Sequence, residues 1–263
     1  MLPLKKQLGF GICLFLVLLM LCLSIFFYIS RRKDSQSLRI LAIQVTKNIN
    51  TSDEKVRVLN SFVYHNQSFA KNTGYYLLKS LGPTPVQVLD KGGDCADRSR
   101  LLAAMLNQIG IEASLAMMYP CKGCLPVHTV VLATTESGII SADPVYDLMF
   151  PKETGGYYDV RELMNDPEIQ RNRLRALRTM RGSQDEIMSY DETSHHFQFI
   201  TTVNWSKNIW LRGIQNVLDR LNVPSHLITR PALLEDPQLG LAAFSGISAV
   251  LCAMLAIVFW LFF

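Results

Sequence analysis

The sequence predicts an α+β protein: a central helix packed on an antiparallel sheet, with an uncharged apolar helix at each end of the chain. Three observations carry that expectation. Behind Gly92-Gly93-Asp94-Cys95, the residues Leu101, Leu102, Met105, Leu106 and Ile109 recur at helical spacing, and Gly110 stands where such a helix would stop. From Glu112 to Pro144 the pattern changes to short apolar, β-branched runs separated by turn residues, as in an antiparallel meander. No charged residue occurs from Leu8 to Ile29 or from Leu239 to Phe263, and each run is long enough to cross a hydrocarbon layer of about 30 Å as a helix.

Much of the 49% hydrophobic content of this 263-residue chain therefore lies at its ends. A cleaved signal peptide would have an apolar stretch of roughly 7–15 residues and a small-residue cleavage site. The first run is longer and closes on Phe26-Phe27-Tyr28-Ile29, so a retained anchor is expected. The last run has no polar face, which favours a span over a buried core helix. The expected division is a transmembrane helix at 8–30, a core with preceding helices at 34–155, a helical and strand extension with a juxtamembrane segment at 156–238, and a second transmembrane helix at 239–263. Lys5 and Lys6 favour an inside N-terminus, whereas Arg31, Arg32 and Lys33 argue the other way. The cysteines between the spans, Cys95, Cys121 and Cys124, suit an oxidising side on which two pair and one stays free. That places the protein in the cell membrane, multi-pass, with the intervening domain extracytoplasmic. The net charge of +4 is modest and mixed, and no basic-aromatic module occurs, so nucleic acid is not an expected partner.

Along the intervening segment, Asp34 to Asn50 has an apolar helix-like pattern through Leu38, Leu41, Ala42 and Val45. Asp53 is suited to cap a second helix carrying Val56, Leu59, Phe62 and Val63. Asn72 to Pro85, with two glycines and two prolines, is expected to be loop. Gln87 is expected as a surface residue on a short extended segment, its alternative being help to an oxyanion hole. Gly92 and Gly93 allow a sharp turn, Asp94 can cap, and Cys95 then opens the helix, where unpaired N–H groups and the helix dipole stabilise a thiolate. Asp90, Asp94 and Asp97 are better explained by that dipole than by a metal, because no histidine is near and the spacing is not that of a calcium loop. Arg98 and Arg100 are expected on a solvated face. Strands are expected over Glu112 to Met118, His128 to Thr134 and Ile139 to Pro144. A hairpin turn centred between Thr135 and Glu136 sets His128 opposite Asp143, with Cβ atoms roughly 4.5–5.5 Å apart. Asp147 is the alternative carboxylate, but it lies beyond the hairpin register.

Cys121-Lys-Gly-Cys124 in the loop before His128 leaves three readings open: a local disulfide, half of a zinc site with His195 and His196, or free thiols. Gly155 to Tyr158 is loop that could edge a cleft. Asp166-Pro167-Glu168 starts a helix whose five arginines follow the dipole and the solvent, or else meet an anionic surface. Ser194 to Thr202 alternates like a strand, which sends His195 and His196 to opposite faces and leaves either a weaker alternative base. Asn204 can cap an amphipathic helix through Trp205, Ile209, Ile214, Val217, Leu218 and Leu221. Such a helix closes the domain or lies in a membrane interface.

The runs GGDCADRSRLLAAMLNQIGIEA, HTVVLA and SADPVYDL, from Val86 to Leu148, together resemble the core of the transglutaminase-like superfamily, whose thiol site is papain-like. In that pattern a cysteine opens a helix, a histidine starts one strand and an aspartate ends the next. The resemblance implies Cys95 as nucleophile, His128 as base and Asp143 as the group that orients it. One departure is Val130, where many members carry an aromatic residue. The implied function is a membrane-anchored cysteine enzyme that acts on amide bonds of a protein or peptide through an acyl-thioester. Peptidase or amidase is the leading reading, the alternatives being a cross-linking acyltransferase and an inactive tethered binding or assembly component working with a cell-surface polymer or partner. No cofactor and no metal are expected.

Overall fold

Two helices in succession set the geometry of the chain's centre, and the two glycines between them are both required. In the computed structural model, which describes residues 4–66, 75–78, 81–205, 209–230, 233 and 235–262, the first helix, α1, runs Leu4–Val45. It passes through Arg31, Arg32 and Lys33 without a break, so the separate helix expected from Asp34 is its continuation. All three are good helix formers, and no glycine or proline interrupts residues 30–45. Then come α2 (Ser52–Asn66), α3 (Pro85–Lys91) and α4 (Cys95–Gln108). Of the loop expected from Asn72 to Pro85, residues 72–74, 79 and 80 lie outside the described residues.

Gly92 has φ 76°, the left-handed conformation that closes α3, and a Cβ at Gly93 would stand 2.4 Å from the Cβ of Asp97. Both flanking helices begin with a reciprocal capping box, Thr84 with Gln87 and Asp94 with Asp97. Gln87 is thus helical, contrary to the extended segment expected; its Oε1 accepts the Thr84 N–H at 2.9 Å.

The sheet is a meander in the order β1 (Ala113–Met118), β2 (His128–Thr135), β3 (Gly138–Asp143) and β4 (Leu148–Met149), all antiparallel. Its period-2 alternation divides the core in two. Leu115, Val131, Ala133 and Ala142 face α2, α4 and the Leu38–Ala42 end of α1, whereas Met118, Val130, Leu132 and Leu148 face the segment that follows. That segment contains α5 (Val160–Asn165), α6 (Pro167–Arg181) and α7 (Ile209–Arg220). With both faces covered, β2 is buried from His128 to Ala133.

The hairpin register pairs Thr135 with Gly138 and Val131 with Ala142, two residues away from the expected alignment. The turn is Glu136-Ser137, and His128 is consequently diagonal to Asp143 rather than opposite it. Glu136 leans out of that turn to accept the N–H groups of Ser52 (2.9 Å) and Asp53 (3.2 Å), and so caps α2 in place of Asp53. Tyr157 is tied to the same turn, its N–H donating to Ser137 Oγ at 3.0 Å. Residues 155–158 therefore lie at the far end of β2 from His128.

The strand expected over Ser194 to Thr202 is a turn followed by a 3₁₀ helix at Phe197–Phe199. Asp191 accepts the Thr193 N–H through its side chain and the His195 N–H through its carbonyl, which bends the chain back. Only Thr201 reaches a strand, in a single bridge to Met117. Between Asn204, where a cap is expected, and α7, residues 206–208 lie outside the described residues.

The chain divides into two units, Gln36–Arg230 and one formed by the two ends. The second contains the apolar part of α1 and α8 (Pro237–Phe262). Ser24 Oγ donates to the Ala242 carbonyl (2.8 Å), Arg31 pairs with Asp236 (2.6 Å), and Gln238 Nε2 reaches Ser30 and Asp34. Both helices are long and apolar enough to cross a membrane.

Candidate active site

Cys95 is the first residue of α4 and is half-buried. Asp94 Oδ1 takes the N–H groups of Ala96 (3.0 Å) and Asp97 (3.1 Å), and the Asp94 carbonyl takes that of Arg98. The Cys95 N–H is the first-turn donor that these bonds leave over.

His128 opens β2, and Asp143 closes β3. Their side chains are 4% and 2% exposed, and His128 Nε2 lies 2.6 Å from Asp143 Oδ2. The second carboxylate oxygen accepts the Val145 N–H at 2.9 Å, which fixes its plane. With Nε2 occupied, the ring's contact with Cys95 falls to Nδ1. Burial by itself lowers the affinity of an imidazole for its proton. The charge and hydrogen bond of Asp143, with Cys95, more than offset this and push the His128 pKa up to about 10. The site favours the imidazolium form of His128 beside the Cys95 sulfur.

Aromatic rings enclose His128. His195 stacks on it at 4.6 Å between ring centroids and 21° between planes, while Tyr146 and Tyr190 stand at 5.6 and 6.3 Å. His195 is pulled down to about 4, by burial first and then by the charge of His128, so it stacks as a neutral ring. Tyr190 donates to the His195 carbonyl and accepts from Gln170, both at 2.9 Å, so α6 holds this wall in place. Burial raises both tyrosines, which remain un-ionised.

Three expectations need correction. Arg98 is not solvated: it is 2% exposed, burial lowers its pKa, and Nη1 donates to the Pro144 carbonyl at 3.2 Å, tying α4 to the end of β3. Its position one turn before Leu101 and Leu102, on the face they bury, was the available signal. Arg173 and Arg181 do not follow the solvent either. They donate to the carbonyls of Met149, Tyr146 and Asp147 and hold the turn behind Asp143. Asp147 itself accepts from Asn60 and Arg181 and belongs to that turn. His195, set aside by the strand expectation, reaches the site because the chain bends at Asp191.

Cys121 and Cys124 form a disulfide, which leaves neither sulfur for zinc. Among the described residues, no three His, Cys, Asp or Glu side chains group as metal ligands.

The arrangement defines a class: a helix-on-antiparallel-sheet protein with a cysteine, a histidine and an aspartate brought to one edge. Residues 39–142 match the model of the transglutaminase-like superfamily. The match includes Cys95 and His128 and ends one residue before Asp143. Two solved structures are similar over 47% of the chain. One is a candidate cysteine protease from Cytophaga hutchinsonii, with 21% identity, a TM-score of 0.36 and 40% of its own length covered. The other is a candidate protease from Parabacteroides distasonis, with 19% identity, a TM-score of 0.35 and 25% covered. The chain thus spans less than half of either. No curated protein matches the sequence.

Proposed function

We propose that this protein is a membrane-anchored cysteine enzyme that cleaves amide bonds of a protein or peptide, as a peptidase or amidase, with Cys95, His128 and Asp143 as its catalytic residues. The observation that carries the reading is the buried 2.6 Å bond between His128 Nε2 and Asp143, on a ring that also interacts with the Cys95 thiol at a helix start. His128 takes the Cys95 proton, and the sulfur attacks the amide carbonyl to form the C–S bond. The oxyanion is met by the Cys95 N–H and the start of α4. His128 returns the proton to the leaving nitrogen as the C–N bond breaks, leaving an acyl-thioester and a free amine. Water, deprotonated by the same histidine, then releases the acid and restores the thiol. The two apolar helices support anchoring, and the Cys121–Cys124 disulfide supports an oxidising, extracytoplasmic side.

The test is the pH profile of Cys95 alkylation by iodoacetamide in the full chain, read by peptide mass, with and without His128→Ala. Alkylation is expected to persist well below pH 7, and His128→Ala should confine it to the range in which an ordinary thiol ionises, about pH 8.5. Identical profiles for the two proteins would sink the assignment.

A further inference from the structure

The amphipathic helix α7 faces the wrong way for a helix of a soluble domain. Its polar residues Arg212, Gln215, Asn216 and Asp219 line a cavity of about 640 Å³ against the loop of the Cys121–Cys124 disulfide and the Phe199–Thr201 segment. Asp219 is tied inward by Ser225 Oγ at 2.8 Å. The opposite face is apolar and open: Trp210 is 81% exposed, Ile214 51%, Val217 55% and Leu221 67%. No residue of α7 is buried. A helix normally turns such a stripe to the core. Here only Leu211 and Leu218, at the edge of the stripe, are half-buried with Gln215, and the rest of the apolar face is left for contact with something else.

The chain itself limits what that is. Residues 221–236 lead directly into α8, and fully extended they reach at most about 55 Å. If α8 spans a bilayer, α7 cannot leave the neighbourhood of that surface. A short helix with one fully apolar face and a tryptophan at its start is the form that lies in the plane of a membrane interface, buried about 5–10 Å into the headgroup boundary. We propose that α7 lies on the bilayer with Trp210, Val217 and Leu221 in the lipid, holding the domain against the membrane by its α7 side. This rests on the membrane-anchored reading above. It adds that the domain is docked on the membrane rather than only tethered to it, so substrates are met close to the lipid surface.

The full chain, reconstituted in phosphatidylcholine–phosphatidylglycerol vesicles with lipids brominated either near the headgroup or deep in the tails, provides the test. Tryptophan emission is compared among the parent protein, Trp210→Phe and Trp260→Phe. Trp205 is buried and bonded to the Ser225 carbonyl, and serves as the unchanged background. The expected result is a drop of about twofold or more in the Trp210 contribution with shallow bromine, larger than with deep bromine. A Trp210 contribution that neither lipid quenches overturns the proposal. If iodide quenches it instead, the face is open to water; if iodide also fails, a protein surface or a second copy covers it. Trp260 reports on α8 independently. Its failure to respond to either lipid while Trp210 responds would defeat the anchor reading and leave the docking of α7 standing, and the reverse pattern would do the opposite.

Discussion

Helices α4 and α7 are both amphipathic, but only α4 buries its apolar side. The first places Leu101, Leu102, Met105 and Leu106 in the core and takes Arg98 and Ser99 in with them, each polar group answered by a carbonyl of Pro144 or Thr129. The second buries none of its apolar side chains, leaving Trp210, Ile214 and Val217 exposed, and lines a cavity with its polar row. An apolar stripe states that a face will leave water. It does not state what covers that face, and only in α4 is the cover part of the same domain. The difference also separates what holds the site from what places it. Burial of α4 fixes the thiol against His128, whereas α7 contributes little to the stability of the fold.

The largest effect that tests this contrast is expected from Leu102→Ala. It empties a site that is 0% exposed and should lower unfolding stability by about 2–5 kcal/mol in denaturant titration. Val217→Ala, the matched deletion on α7, should change it by no more than about 0.5 kcal/mol. A comparable loss at Val217 would mean that α7 is packed after all.

The stacked pair of histidines should show in the pH dependence. His195 has its pKa lowered to about 4, so it contributes stability that is present above its unfolded value of about 6.5 and is lost as pH falls through 4. Thermal unfolding from pH 7 to pH 4 should therefore fall less steeply for His195→Phe, which keeps a ring on His128 but cannot take a proton. Because His195 is only half-buried, solvent screening keeps this effect below that of Leu102→Ala. Parallel slopes for the two proteins would remove the electrostatic part of the stacking argument.

A smaller effect than that of Leu102→Ala is expected from Asp94→Ala. Loss of the cap should cost about 1 kcal/mol, or about 2–4 °C in a domain of this size. Since the same bonds engage the donors beside Cys95, its alkylation should shift with it. A change in stability with no change in reactivity would separate the cap from the thiol.

The sequence alone determined the features that depend on neighbours in the chain. Glycines at a helix junction, a capping aspartate, a helical apolar period, alternating strands and two uncharged ends are local preferences, and so the α+β class and the order of its elements could be read directly. That His128 and Asp143 lie at corresponding ends of paired strands was legible for the same reason. The tertiary structure decided what depends on distant residues. Glu136 rather than Asp53 caps α2, because the hairpin turn is packed there. The register differs by two because the turn is Glu136-Ser137, yet the diagonal places of His128 and Asp143 still let their side chains meet. Asp191 bends an alternating stretch that would otherwise extend, and this sets His195 on the His128 ring. Arg98 is buried because a strand end offers it a carbonyl. The outward face of α7 belongs to the same group, since hydrophobic periodicity measures the free energy of leaving water and carries no information about the direction in which a partner lies.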